Sequence, residues 1–75
     1  MHQFRRFTAI IQREDDAFAA LCPELDIASQ GPSIEDARAN LIEALTLFFE
    51  AAEEGEVTRR MHSDVFVTQV EVRVG

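Results

Sequence analysis

LCPELDIASQGPSIEDARANLIEA, residues Leu21 to Ala44, holds in one run the end of a strand, a Pro-containing turn, a second short strand and a capped amphipathic helix. Pro23 has no amide donor and steers Cys22 away from helical angles, so the strand before it stops and the chain turns through Glu24 to Asp26. Ile27 to Gln30 reads as a short strand. Gly31 and Pro32 break it, and Ser33 stands where its hydroxyl can accept an amide hydrogen bond from the first turn of a helix. Glu35 and Asp36 then meet the positive end of the helix dipole. From Ile34 onward Ala37, Leu41, Ala44, Leu45, Phe48 and Ala52 recur at helical spacing, forming one face that must find a sheet to pack on, with Leu41 and Phe48 as its expected anchors. Ile42 and Phe49 widen that stripe, while Arg38, Glu43, Glu50 and Glu53 point elsewhere. Gly55 is the expected C-terminal cap.

Working outward, Phe4 to Arg13 is rich in strand formers and reads as strand one. Phe7, Ala9 and Ile11 fall on one face, and Thr8, Ile10 and Gln12 on the other. Glu14-Asp15-Asp16 is a charged turn, and Ala17 to Cys22 resumes the alternation with Phe18, Ala20 and Cys22 on one side, which makes a β-hairpin. Downstream of the helix, Glu56 to Asp64 reads as a polar connection. Val65 to Val74 returns to strand character, with Phe66, Val70, Val72 and Val74 opposite Gln69, Glu71 and Arg73. The expected fold is α+β, in the order β-β-β-α-β, a sheet covered on one face by one long helix, with a right-handed crossover into the last strand.

Seventy-five residues make one domain, and a chain this short buries only roughly 60% of the surface exposed on unfolding, so oligomerisation is expected. The hydrophobic fraction of 47% argues against general disorder. No apolar run is long enough to span a bilayer and no signal-peptide pattern opens the chain, so membrane association is not expected and cytoplasmic residence is the default. The lone Cys22 cannot form an internal disulfide and suits a reduced, half-buried thiol.

Fourteen acidic residues against seven basic ones, all arginine, give a net charge of −7. That charge repels the phosphate backbone that dominates non-specific nucleic-acid affinity, so direct nucleic-acid binding is not expected. It would steer a basic partner, with Glu14, Asp15 and Asp16 as the candidate steering residues, although acidity for solubility alone gives the same composition. A single helix leaves the opposite sheet face open. Thr8, Ile10, Ala17, Ala19 and Leu21 are its candidate residues, either for self-association or for docking a partner.

No enzymatic constellation is evident. The acidic triplet lacks the spacing of a metal-binding loop and is explained as a solvated hairpin tip. Nuclease chemistry of the two-metal kind needs carboxylates projecting from the sheet, and Thr8-Ala9-Ile10-Ile11 carries none; Glu24, Asp26 and Asp36 could meet only around the ends of the third strand. His2 and His62 read as surface residues, and Cys22 has no neighbouring base to activate it. No phosphate-binding loop, dinucleotide fingerprint or paired cysteine motif is present, so no cofactor, metal or catalytic residue is assigned. Asn40, a weak helix former in mid-helix, is compatible both with a specific hydrogen bond and with a simply exposed position.

Pro23-Glu24-Leu25, Ser29-Gln30-Gly31, Ser33, Glu35-Asp36-Ala37, Asn40 and Glu43-Ala44 together resemble the signature of the HicB-like antitoxin family. Its members carry a P-E-L-P-G turn, a T/S-Q-G-D-T/S segment and a helix that opens acidic-acidic-Ala and continues to Asn. Asp26-Ile27 stands where that family often has Pro-Gly, and Pro32 replaces the Asp of Q-G-D-T, so turn geometry is expected to differ. The resemblance implies a reduced ribonuclease-H-like sheet with strand four beside strand one. It also implies an antitoxin of a type II pair, which binds and occludes HicA, a small basic mRNA-cleaving ribonuclease, by laying an acidic surface over the toxin's RNA-binding face. Many members append a DNA-binding domain after this unit; here residues 1–75 are expected to form the HicB-like domain alone. The alternative is a homo-oligomeric structural or regulatory module without a toxin.

Overall fold

A computed structural model describes residues 4–61 and 64–75. His2 and His62 lie outside the described residues. Three strands, β1 (Ile10–Glu14), β2 (Ala17–Cys22) and β3 (Ile27–Gly31), form an antiparallel sheet in the order β1-β2-β3. They are followed by a long helix α1 (Ile34–Ala51) and a short helix α2 (Glu54–Arg60). The fold is thus α+β, with α1 packed chiefly over β3 and β2 and barely over β1.

The hairpin register pairs Ile11 with Ala20 and Arg13 with Phe18, and β2 in turn pairs Ala20 with Ser29 and Cys22 with Ile27. Side chains opposite one another in an antiparallel ladder share a face, so these residues look toward the helix. That is the buried side: Ala20, Cys22, Leu25, Ala37 and Leu41 are its core, with Phe7, Ile11, Phe18, Ile27, Leu45, Phe48, Phe49 and Met61 packed around it. Cys22 is fully buried, deeper than the half-buried position expected, because its side chain points inward beneath the turn that Pro23 begins. Leu41 retains 2% exposure, whereas Phe48 is only partly buried near the far end of the helix.

Ser33 is extended and caps α1, its hydroxyl accepting from the Asp36 amide at 3.0 Å while donating to the Asp36 carboxylate at 2.9 Å. At the junction before it, a Cβ on Gly31 would stand 2.7 Å from the Ala37 amide nitrogen and 2.9 Å from the Asp36 carbonyl carbon. Gly31 therefore closes β3 rather than merely breaking it. Its missing side chain lets the strand end touch the helix backbone.

Four expectations are corrected. Strand one begins at Ile10, not Phe4: the ladder to β2 opens at the Ile10–Leu21 pair, one residue short of Cys22, where β2 ends and Pro23 turns the chain. Phe7 instead rests on Phe49, with ring centroids 5.5 Å apart. The helix ends at Ala51, where Ala52 turns extended and donates to the Phe48 carbonyl at 2.8 Å, so Gly55 is not the cap. The supposed polar connection contains α2, whose first turn carries Glu54 and Glu56 and whose last carries Arg59 and Arg60, each set complementing the helix dipole. Arg60 docks this helix, donating to the Leu25 carbonyl at 3.0 Å and lying 5.4 Å above the Phe48 ring. Finally, Val65 to Val74 forms no strand ladder within the chain; residues 64–75 carry no regular secondary structure, and Phe66, Val70, Val72 and Val74 are exposed.

Candidate functional site

The acidic hairpin tip is built by its backbone. Glu14 and Ala17 pair across the turn, leaving Asp15 and Asp16 at the apex, and Asp15 takes a positive φ of 54°, which a short polar side chain tolerates. All three carboxylates are exposed. Glu14, Asp15 and Asp16 face Gln30, Gly31 and Pro32 across a shallow depression, and the start of α1, with Glu35 and Asp36 in its first turn, lies at this same end. Chain elements distant in sequence thus gather five acidic side chains at one pole.

At the opposite end of β3, the Pro23-Glu24-Leu25-Asp26 turn holds a polar knot. Glu24 accepts from the Thr8 amide at 3.0 and 3.1 Å and from the Thr8 hydroxyl at 2.7 Å, and the Cys22 thiol reaches it at 3.5 Å. Burial pushes the Glu24 carboxyl upward, but the Thr8 hydroxyl, its own amide, the Thr8 amide and the Cys22 thiol outweigh it and hold the pKa below the ordinary glutamate value. The Cys22 thiol moves the other way, raised first by burial and further by the Glu24 carboxylate. It is poorly suited to nucleophilic work. Asp26 adopts φ 55°, a conformation closed to the proline that the HicB-like signature often places there.

The open sheet face is the side bearing Ile10, Leu21 and Ala28 in one cross-strand row and Gln12, Ala19 and Gln30 in the next. Ile10, Ala17 and Ala19 are half-buried and Leu21 is 39% exposed, so four of the five expected surface residues come together. Thr8 does not join them, since it precedes β1 and is engaged by Glu24. The patch is modest in size. Two alanines and two branched aliphatics, rimmed by glutamines, present a flat, mildly apolar surface.

Glu24 and Asp26 sit at one end of β3 and Asp36 at the other, so they do not assemble a carboxylate cluster. Among the described residues no group of three His, Cys, Asp or Glu side chains is placed to hold a metal ion. No helix formed by them is long and apolar enough to cross a membrane. Sequence reading left Asn40 open; its side-chain amide donates to the Gln30 carbonyl at 2.8 Å and ties α1 to β3. It also missed a groove of about 890 Å³ between residues 4–9 and α1. The signal was available in Ile42 and Phe49, which lie beside the main helical stripe and need cover of their own.

Comparison with known proteins adds no relative: no family model matches the chain, and neither a curated protein nor a solved structure is significantly similar to it.

Proposed function

We propose that this chain is a HicB-like antitoxin, a protein-binding module that occludes a small basic HicA-type mRNA-cleaving ribonuclease and performs no chemistry of its own. The observation that carries this reading is the acidic pole, where Glu14, Asp15, Asp16, Glu35 and Asp36 collect on exposed positions of a chain of net charge −7. Such a surface attracts a basic RNA-binding face and accelerates its approach while repelling nucleic acid. The signature residues support the reading in a second way, since they occupy structural joints: Glu24 holds the turn, Gly31 admits the helix start, and Asn40 latches the helix to β3. The finer fold that goes with this reading is a reduced ribonuclease-H-like sheet, whose fourth strand, Val65 to Val74 beside β1, would have to come from pairing between chains, since that segment forms no ladder within its own.

A low-salt pull-down from cells of the source, followed by ribonuclease assays on the recovered partner, tests it. A small basic ribonuclease whose activity falls stoichiometrically as this chain is added supports the antitoxin reading. Recovery of the chain only with itself turns the reading to a homo-oligomeric structural or regulatory module. That second reading is favoured by the small core and by the apolar side chains of residues 64–75 left in solvent.

A further inference from the structure

Residues 64–75 form an arm with one apolar and one polar side. Phe66, Val70, Val72 and Val74, exposed between 73% and 94%, share one side with Thr68, and Gln69, Glu71 and Arg73 share the other with Val67, so the alternation is strict from Gln69 on. This is the period-two pattern of a strand made to lie with one face on a core and the other in water. In the structure the arm leaves its own body. The radius of gyration is 14.6 Å and the long axis 52 Å, against roughly 11 Å for a compact chain of this length.

A receptor for such an arm is present on the same molecule. β1 pairs on one side with β2, and its other edge is without a strand partner among the described residues. α1 barely covers β1, and between α1 and residues 4–9, the segment that leads into β1, lies the groove lined by Phe4, Phe7, Ile42, Leu45 and Phe49, with Phe4 96% exposed. Arg5, Arg6, Arg38 and Glu50 stand at the same groove, and the arm brings both Glu71 and Arg73 on its polar side. An open edge beside an apolar trough is the geometry that accepts an added strand, with backbone hydrogen bonds along the edge and alternate side chains in the trough.

From these two halves we infer that the chain forms a symmetric dimer by arm exchange: residues 64–75 of each copy add as a strand to the β1 edge of the other and fill its groove. The second copy is the occupant because the arm, its apolar side chains in solvent, does not line its own groove, and reciprocal exchange closes both edges with one two-fold interface. The exchange also accounts for the smallness of the core within one chain, since Phe4 and Ile42, both exposed, gain cover when an arm arrives. This goes beyond toxin binding and stands or falls without it.

The test mixes two differently isotope-labelled batches of the unmodified chain and records filtered nuclear Overhauser contacts, alongside light-scattering mass over a concentration series. A dimer with contacts from Phe66, Val70 and Val72 of one label to Phe7, Ile42 and Phe49 of the other is expected. Val70→Pro, which removes an amide donor and cannot sit in mid-strand, should weaken the dimer roughly tenfold or more while α1 helicity persists. A monomer, contacts confined to one label, or a dimer of undiminished strength in Val70→Pro would each overturn the inference. The labelling result, taken on the unmodified chain, decides even where the variant fails to fold.

Discussion

The Glu24 carboxylate accepts both the backbone amide and the hydroxyl of Thr8, sixteen residues upstream, the hydroxyl at 2.7 Å. This pair anchors the approach to β1 against the β2–β3 turn at the point where the strand ladder has run out. It stands in for ladder hydrogen bonds that residues upstream of Ile10 do not make.

Because the pair lowers the Glu24 pKa in the folded state, it contributes stability above the unfolded value, near pH 4.5, and that contribution is lost as pH falls through the lowered folded value. Glu24→Gln should cost about 1–2 kcal/mol at neutral pH. The difference from the parent chain should shrink as pH drops below the ordinary glutamate range, which urea melts at a series of pH values would reveal. A constant difference down to the acid limb would mean that the carboxylate's charge plays no part.

Gly31→Ala should destabilise the domain by roughly 1–3 kcal/mol, since the new Cβ meets helix backbone that cannot rotate aside. Asn40→Ala, which loses one hydrogen bond to the Gln30 carbonyl, should cost less, about 1 kcal/mol. Equal denaturation midpoints for Gly31→Ala and the parent would show that the strand end and helix start can separate cheaply.

Leu41→Ala removes a side chain from the centre of the core and should cost about 2–5 kcal/mol, enough to unfold so small a domain. Phe48→Ala acts differently. Its ring carries the Arg60 guanidinium and meets Phe49 edge-on at 5.3 Å, so its loss should release α2 before it unfolds the sheet. Hydrogen exchange in Phe48→Ala should accelerate first at Val57 to Met61. Uniform acceleration across β2 and α2 would place Phe48 in the central core instead.

Charge reversal at Glu14, Asp15 and Asp16 should slow association with a basic ribonuclease partner while leaving the melting temperature nearly unchanged, because exposed rim charges act mainly on the on-rate. Stopped-flow binding at increasing salt measures this directly. An on-rate indifferent to both reversal and salt would exclude steering by the acidic pole.

What the sequence determined by itself was local. Pro23 ended β2, Ser33 and Asp36 opened α1, and the alternation of Phe18, Ala20 and Cys22 named the buried face, each through a neighbour a few residues away. What only the tertiary structure decided were the features that require a distant partner. Strand propensity upstream of Ile10 and from Val65 to Val74 could not announce whether a ladder was there to receive it, because a strand exists only in its pairing. The helix from Glu54 to Arg60 was hidden in polar composition, since its hold on the fold is Arg60 reaching the Leu25 carbonyl across the chain. The roles of Thr8, Gly31 and Asn40 were likewise set by Glu24, Ala37 and Gln30, partners that only folding brought to them.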